Sequence, residues 1–282
     1  AKRIAAAGRD AGIAGGVSVH LKVDTGMRRI GCPPEDAPRI ARKIAGIPGL
    51  NLAGVCTHFP VADEVRSDGF TGRQVSRFLD AVERIRKAGV DPGTVHAANS
   101  AAILNRCAPG LDMVRPGIAL YGYPPAQPSK HARFGEERLA PVMELRTRIV
   151  FMKRIRAGEG VSYGLIWLAP RDTVIATLPV GYGDGYFRCL SSDGQAHRAR
   201  VLIRGKNYPV VGRICMDQTL VDLGPEPEPR LYDPVVLFGP DPAGPDAWDL
   251  AAAADTIPYE ITCAVSRRVP RLYTGGESAA AD

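Results

Sequence analysis

From Val17 to Arg115 the chain alternates between two hydrophobic periods, and this alternation restricts the fold more than any other feature. Val17, Val19, Leu21 and Val23 take one side of an extended stretch, and Ser18, His20, Lys22 and Asp24 take the other, which is the period of a strand. Thr25-Gly26 ends it. Pro34 to Ala45 reads as a helix with proline and acidic residues in its first turn. Leu52 to His58 reads as a short strand, and Val75, Phe78, Leu79, Val82 and Ile85 recur at helical spacing within Thr71 to Ala88. A strand over Thr94 to Ala98 runs into a helix over Asn99 to Leu104 that opens on a capping residue. Asp112 to Arg115 is a last short strand, stopped by Pro116-Gly117. Such repetition implies parallel βαβ units.

Tyr123-Pro124-Pro125-Ala126-Gln127-Pro128 marks a boundary, beyond which the texture changes to strands and turns. Leu145 to Met152, Val174 to Val180, Arg200 to Ile203, Tyr208 to Arg213, Thr219 to Leu223 and Val235 to Phe238 are strand-like, with a hairpin turn at Gly205-Lys206-Asn207. One helix, around Trp248 to Asp255, interrupts them. The expected organisation is an α/β domain over 1–138, a mainly β domain over 139–274 and a flexible tail over 275–282.

Composition narrows the classes of partner. Hydrophobic residues at 45% and charged residues at 23% are those of an ordinary soluble globular protein. The net charge of +6 is spread without an aromatic–basic platform, so no nucleic acid is expected, and an anionic small ligand suits it. Cys32, Cys56, Cys107, Cys189, Cys215 and Cys263 are widely spaced and read as reduced thiols, neither a disulfide frame nor a metal site. No apolar run is long enough to span a bilayer. The chain opens on Ala1-Lys2-Arg3, inside what reads as the end of an amphipathic helix, so the lack of a signal peptide carries no information.

Polar residues gather at the strand ends: Lys22 and Asp24, Thr57 and His58, His96, Asn99 and Ser100, then Arg115. A (β/α) barrel builds its active site at these ends. Each residue alone has an ordinary structural reading; their recurrence at corresponding points of successive units favours a site. The helix opening at Asn99-Ser100 and the close backbone approach at Gly117-Ile118 favour a phosphorylated ligand. The second half adds three polar turns, Val161 to Gly164, Gly181 to Arg188 and Val211 to Gln218.

Together these stretches resemble the alanine racemases from about Ser18 to Tyr273. The specific parts are Lys22 to Gly31, Thr57-His58-Phe59 with Ala62-Asp63, His96 to Ala101, Val114 to Gly122, the three turns, Tyr259-Glu260-Ile261 and Arg267 to Arg271. The resemblance implies a pyridoxal-phosphate enzyme with an eight-stranded α/β barrel and a C-terminal β domain, interconverting L- and D-alanine by two-base α-proton transfer. It implies cytoplasmic supply of D-alanine for peptidoglycan and a homodimer with a composite site. Tyr163 resembles the catalytic tyrosine. His58, Ser100, Arg115, Gly117, Ile118 and Tyr259 resemble cofactor-binding residues, with Arg115 at the pyridine nitrogen. Arg29 and Met216 resemble substrate-binding residues, and Lys22 the lysine often carbamylated in the family. His96, Asn99, Tyr182, Arg213 and Asp217 correspond to supporting or entryway positions.

Two departures accompany the resemblance. Arg28 stands where the family usually has glycine. Lys2, Lys22, Lys43, Lys87, Lys130, Lys153 and Lys206 all lack the context of the family's Schiff-base lysine, which belongs to the first barrel strand. The expectation is therefore an N-terminally incomplete chain, holding the last four βα units of the barrel and inactive alone. The alternatives are a sister racemase acting on serine, lysine or a broader set, and a truncated chain that binds a ligand without catalysis.

Overall fold

The computed structural model describes residues 1–64, 69–108, 110–126, 139–194 and 199–274. The end of the proline-rich boundary, from 127 to 138, and the tail from 275 lie outside them. The chain divides into two compact units, Ala1–Leu139 and Ala140–Asp282.

The first unit runs α1 (Lys2–Asp10), β1 (Val17–Lys22), α2 (Ala37–Ala45), β2 (Leu50–Cys56), α3 (Phe70–Lys87), β3 (Thr94–Asn99), α4 (Ser100–Leu104) and β4 (Met113–Arg115). The strands form one parallel sheet in the order β1-β2-β3-β4. Sequential order is what short right-handed helical crossovers produce. The helices seal one face: Ala37, Ala41 and Ile44 of α2 and Phe78, Ala81, Val82 and Ile85 of α3 pack with Val23, Val55, Val95 and Ala97. Burying those α3 side chains contributes on the order of 1.5–3 kcal/mol for each large one. All four strands point the same way, so their C-terminal ends share one edge of the unit.

The second unit is mainly β. It runs β5 (Leu145–Arg148), β6 (Phe151–Ile155), β7 (Gly160–Val161), β8 (Trp167–Leu168), β9 (Thr173–Leu178), β10 (Arg200–Ile203), β11 (Lys206–Pro209), β12 (Thr219–Asp222), β13 (Pro234–Phe238), α5 (Ala247–Ala254) and α6 (Pro258–Ala264). It forms two antiparallel sheets, β11-β10-β13-β5 and β12-β9-β6, and a separate small hairpin, β7-β8, that connects β6 to β9. Ile155, Val161, Trp167, Ala169, Ile175 and Val211 form a core cluster here.

Three local expectations change. Leu145 to Met152 is two strands in different sheets, because the amides of Ile149 and Val150 turn to Asp233 and Thr177. A strand can switch sheets at a corner without any break in apolar pattern. The hairpin turn is Arg204-Gly205, one residue earlier than expected, since Ile203 pairs with Lys206. Both residues have positive φ, 50° and 77°, as a type I′ turn requires. A second helix, α6, joins the expected one. Its only signal is the proline at its first position, and seven residues are too few to show a period.

Candidate active site

In the first unit the loop after β1 folds back on its own strand. Asp24 N–H donates to Cys32 O, and Cys32 N–H donates to Lys22 O, so the segment 24–32 is a closed loop. Asp24 Oδ1 accepts from Gly26 N and Arg28 N, each at 3.0 Å. These bonds hold the Asp24 carboxyl below its usual range despite burial, which acts the other way. The same loop gives a backbone reason for the glycine that the resemblance implies at position 28. Arg28 sits at φ 60°, a left-handed backbone that costs a residue with a Cβ about 1 kcal/mol or more.

The loop brings Arg29 beside Lys22, and both line a small recess with Thr57 and His58. Burial, with Arg115 and Arg29 nearby, holds the Lys22 amine below its ordinary value. Beneath the recess, Thr25 Oγ1 and Thr57 Oγ1 lie 2.7 Å apart. Gln74 Nε2 of α3 donates to Thr25 Oγ1 at 3.1 Å and to His58 O at 3.2 Å. The ends of β1 and β2 are thereby tied to α3. A lone glutamine among the polar residues of a helix gives no sequence signal of that role.

Arg115, at the end of β4, is the hub. Its Nη1 donates to His96 Nδ1 at 2.6 Å, and its Nη2 donates to Thr57 O at 2.9 Å, Ala97 O at 2.8 Å and His58 Nδ1 at 3.2 Å. A guanidinium only donates, so both imidazole Nδ1 atoms are acceptors and the proton of each neutral ring is on Nε2. His96 Nε2 in turn lies 2.7 Å from His20 Nδ1. Burial, then Lys22, Arg115 and Arg29, depress His58 to about 4. Burial, then Arg115, His20 and Lys22, depress His96 to about 4. Among the described residues no carboxylate forms an ion pair with Lys22, Arg29 or Arg115. The cluster is thus positive, with Asp24 near Lys22 offsetting part of the charge.

Asn99 caps α4, its Oδ1 accepting from Ala102 N at 3.0 Å while its Nδ2 donates to Phe59 O at 3.0 Å. Ser100 Oγ is buried and accepts from Gly117 N at 2.9 Å and Ala119 N at 3.3 Å, leaving its own proton to donate. Ile118 opens the 3-10 turn Ile118–Tyr121, and an amide in that position has no acceptor within its turn. A Cβ on Gly117 would stand in ordinary contact with Ser100 Oγ, 3.8 Å away. A hydroxyl with its proton left to donate and an excess of cations fit a phosphorylated, anionic cofactor such as pyridoxal phosphate.

In the second unit the three polar turns meet. Tyr163 lies in the 3-10 turn Tyr163–Leu165 between β7 and β8. Ser162 Oγ donates to Arg213 O at 2.5 Å, which lays this turn on the 211–217 loop. Tyr182 N and Gly183 N donate to Cys215 O and Met216 O. Arg268 joins Asp184 at 2.7 Å to Asp217 at 2.5 Å, and a Cβ on Gly183 would meet its Nη2 at 2.8 Å. Tyr163 is 71% exposed, Met216 52% and Tyr182 42%, so the turns present these side chains outward. Tyr259 is the second residue of α6. Among the described residues no helix is long and apolar enough to cross a membrane.

Family models carry the same division. One for the N-terminal domain of alanine racemase matches residues 1–125, and one for its C-terminal domain matches residues 142–273. The alanine racemase of Desulfovibrio desulfuricans is 43% identical over 275 residues, 97% of this chain and 70% of that protein. The chain belongs to the alanine racemase family. The Treponema denticola alanine racemase is 46% identical over 261 residues, and the match covers 90% of this chain and 66% of that protein. The solved alanine racemase of Streptomyces coelicolor superposes with a TM-score of 0.84 at 39% identity, covering 97% of this chain and 70% of that one. The chain thus spans about two thirds of the length of the curated relatives it matches. The fold is that of the family, a TIM-barrel domain and a β domain.

Proposed function

We propose that the protein to which this chain belongs is an isomerase that interconverts L-alanine and D-alanine with pyridoxal phosphate in the cytoplasm, supplying D-alanine for peptidoglycan. The observation that carries this reading is the positive cluster of Lys22, Arg29 and Arg115, together with the buried Ser100 hydroxyl, whose proton is left to donate. Family membership supplies the reaction; the cluster supplies the reason that an anionic cofactor and a substrate carboxylate gather there.

Ser100, Gly117 and Ile118 would hold the phosphate, and Arg115 would meet the pyridine nitrogen. When bound, the cofactor supplies a conjugated ring that spreads the electron pair left on the α-carbon as its proton departs. A guanidinium never gives up its proton at neutral pH, so Arg115 at that position would disfavour a protonated ring nitrogen and would limit that spreading. This favours return of the proton over side reactions. His58 and His96 accept from Arg115 and stay neutral, which keeps the guanidinium aimed. Arg29 binds the substrate carboxylate. Tyr163 moves the α-proton on one face, and Tyr163 and Met216 belong to the composite site of a homodimer. The ordinary tyrosine value is about 10, so its use as a base needs cationic help.

Lys22 is the site of carbamylation. Its lowered value leaves more free amine, whose lone pair attacks carbon dioxide; one proton leaves and a carbamate anion forms. The anion would compensate Arg29 and hold it in place. We further propose that the four parallel strands are the last four of eight, and that residues 1–282, without the family's cofactor lysine, do not racemise.

The test pairs two proteins. Residues 1–282 with pyridoxal phosphate are expected to show no turnover, and the same chain extended by a lysine-bearing first half-barrel is expected to racemise alanine faster than serine or lysine. Turnover by the shorter protein would remove the lysine argument, and preference for another amino acid would move the enzyme to a sister activity. In the extended protein, Tyr163→Phe is expected to impair proton transfer on one face alone, and sedimentation is expected to report a dimer.

A further inference from the structure

His20 stands on β1 and His96 on β3, with β2 between them. They nevertheless touch. His20 pairs with Gly54 across the β1–β2 ladder, and the register slips between Val19 and His20. A bulge of this kind re-aims a side chain. Gly54 then leaves the space that the ring needs: a Cβ there would lie 2.6 Å from His20 Cε1 and 2.7 Å from Nδ1. The two rings meet edge to face, centroids 4.9 Å apart at 64°, with His20 Nδ1 2.7 Å from His96 Nε2.

The direction of that bond follows from the far end of the chain. Arg115 occupies His96 Nδ1, so His96 carries its proton on Nε2, and His20 Nδ1 is the acceptor. His96 is 4% exposed, and an unpaired buried N–H would cost about 1–3 kcal/mol. We infer that His20 is a positioning residue, which reaches over Gly54 to accept the Nε2 proton of His96 and thereby holds His96 Nδ1 on Arg115. Three features serve this single contact: the register slip, the bare Gly54 and the His20 ring. The consequence for catalysis rests on the role proposed above for Arg115; the contact itself does not.

The test separates the acceptor from the bulk of the side chain. His20→Asn keeps an acceptor on the same carbon, since Oδ1 and Nδ1 are both bonded to Cγ, but loses ring volume. His20→Leu keeps volume and loses the acceptor. Gly54→Ala forces the ring aside. Residues 1–282 with 15N-labelled histidine are examined by long-range 1H–15N spectra without pyridoxal phosphate, so the outcome is independent of any racemase activity. The wild type and His20→Asn are expected to show His96 neutral at pH 7 with its proton on Nε2. In His20→Leu and Gly54→Ala the two ring nitrogens of His96 are expected to move toward averaged values. Its titration midpoint, set by burial and by Arg115, His20 and Lys22 facing it, should rise by about one pH unit as the ring loosens. A wild-type signature in His20→Leu, a disturbed one in His20→Asn, or a wild-type His96 protonated on Nδ1 would each overturn the inference. If Gly54→Ala does not fold, the two His20 variants still decide.

Discussion

At the scale of single residues the site is governed by burial and by an excess of positive charge. Lys22, Arg29 and Arg115 crowd one strand-end region, and burial, reinforced by nearby cations, keeps both His58 and His96 neutral. Each imidazole falls from an ordinary 6.5 to about 4 in the folded chain, so the unfolded chain binds protons first as the pH drops. Stability from these groups is complete above about 6.5 and is lost as the pH falls toward about 4. Urea midpoints measured at pH 7.5, 5.5 and 4.5 are expected to fall in that order, and less steeply in His58→Gln and His96→Gln. The lowered Lys22 predicts a carbamate. With 13C-labelled bicarbonate, a carbamate signal is expected in residues 1–282 and absent from Lys22→Arg; an identical signal in both would exclude Lys22 as its site.

His58, His96, Arg115 and Lys22 stood out in the sequence because strand ends carried polar side chains where apolar ones would pack. The hydrogen bonds of Arg115 to the two histidines did not, since these join residues up to 57 positions apart. His20, Gln74 and Arg268 carry no signal of their contacts in the sequence for the same reason. Each is an ordinary polar residue until the fold supplies His96, Thr25 with His58, or Asp184 with Asp217.

Among elements, those with a long apolar period were legible, and those set by tertiary pairing were not. α3 presents five core-facing positions over 18 residues, and such a stripe has one solution. β5 and β6 share one apolar pattern yet enter two sheets, and α6 is too short to announce itself. The β10–β11 turn gives a clean test of local backbone chemistry. Gly205 has φ 77° and nothing within 4 Å of an added Cβ, so Gly205→Ala meets strain without any clash. It is expected to destabilise the second unit by about 1 kcal/mol in denaturant unfolding. Arg204→Asn, which tolerates φ 50° better, is expected to raise the midpoint.

On the scale of the whole molecule, each unit has its own buried cluster, Ala5 to Ala102 in the first and Ile155 to Val211 in the second. Residues 140–274 expressed alone are therefore expected to unfold in one cooperative transition with dispersed amide signals. A broad, non-cooperative melt would show that its sheets depend on the first unit.

The sequence by itself determined the class of each half: strand–helix alternation for the parallel unit, short strands and turns for the β unit, and polar strand ends for the site. Those features are local, and hydrophobic period and turn chemistry express them within a few residues. Only the tertiary structure decided that Arg115 binds two imidazoles at once, that Asp24 folds a loop to set Arg29 beside Lys22, and that His20 reaches His96 over a glycine. The reason is physical. A guanidinium, an imidazole or an amine has no preferred partner along the chain, and its role is assigned only when burial removes water and leaves the nearest donor or acceptor to replace it.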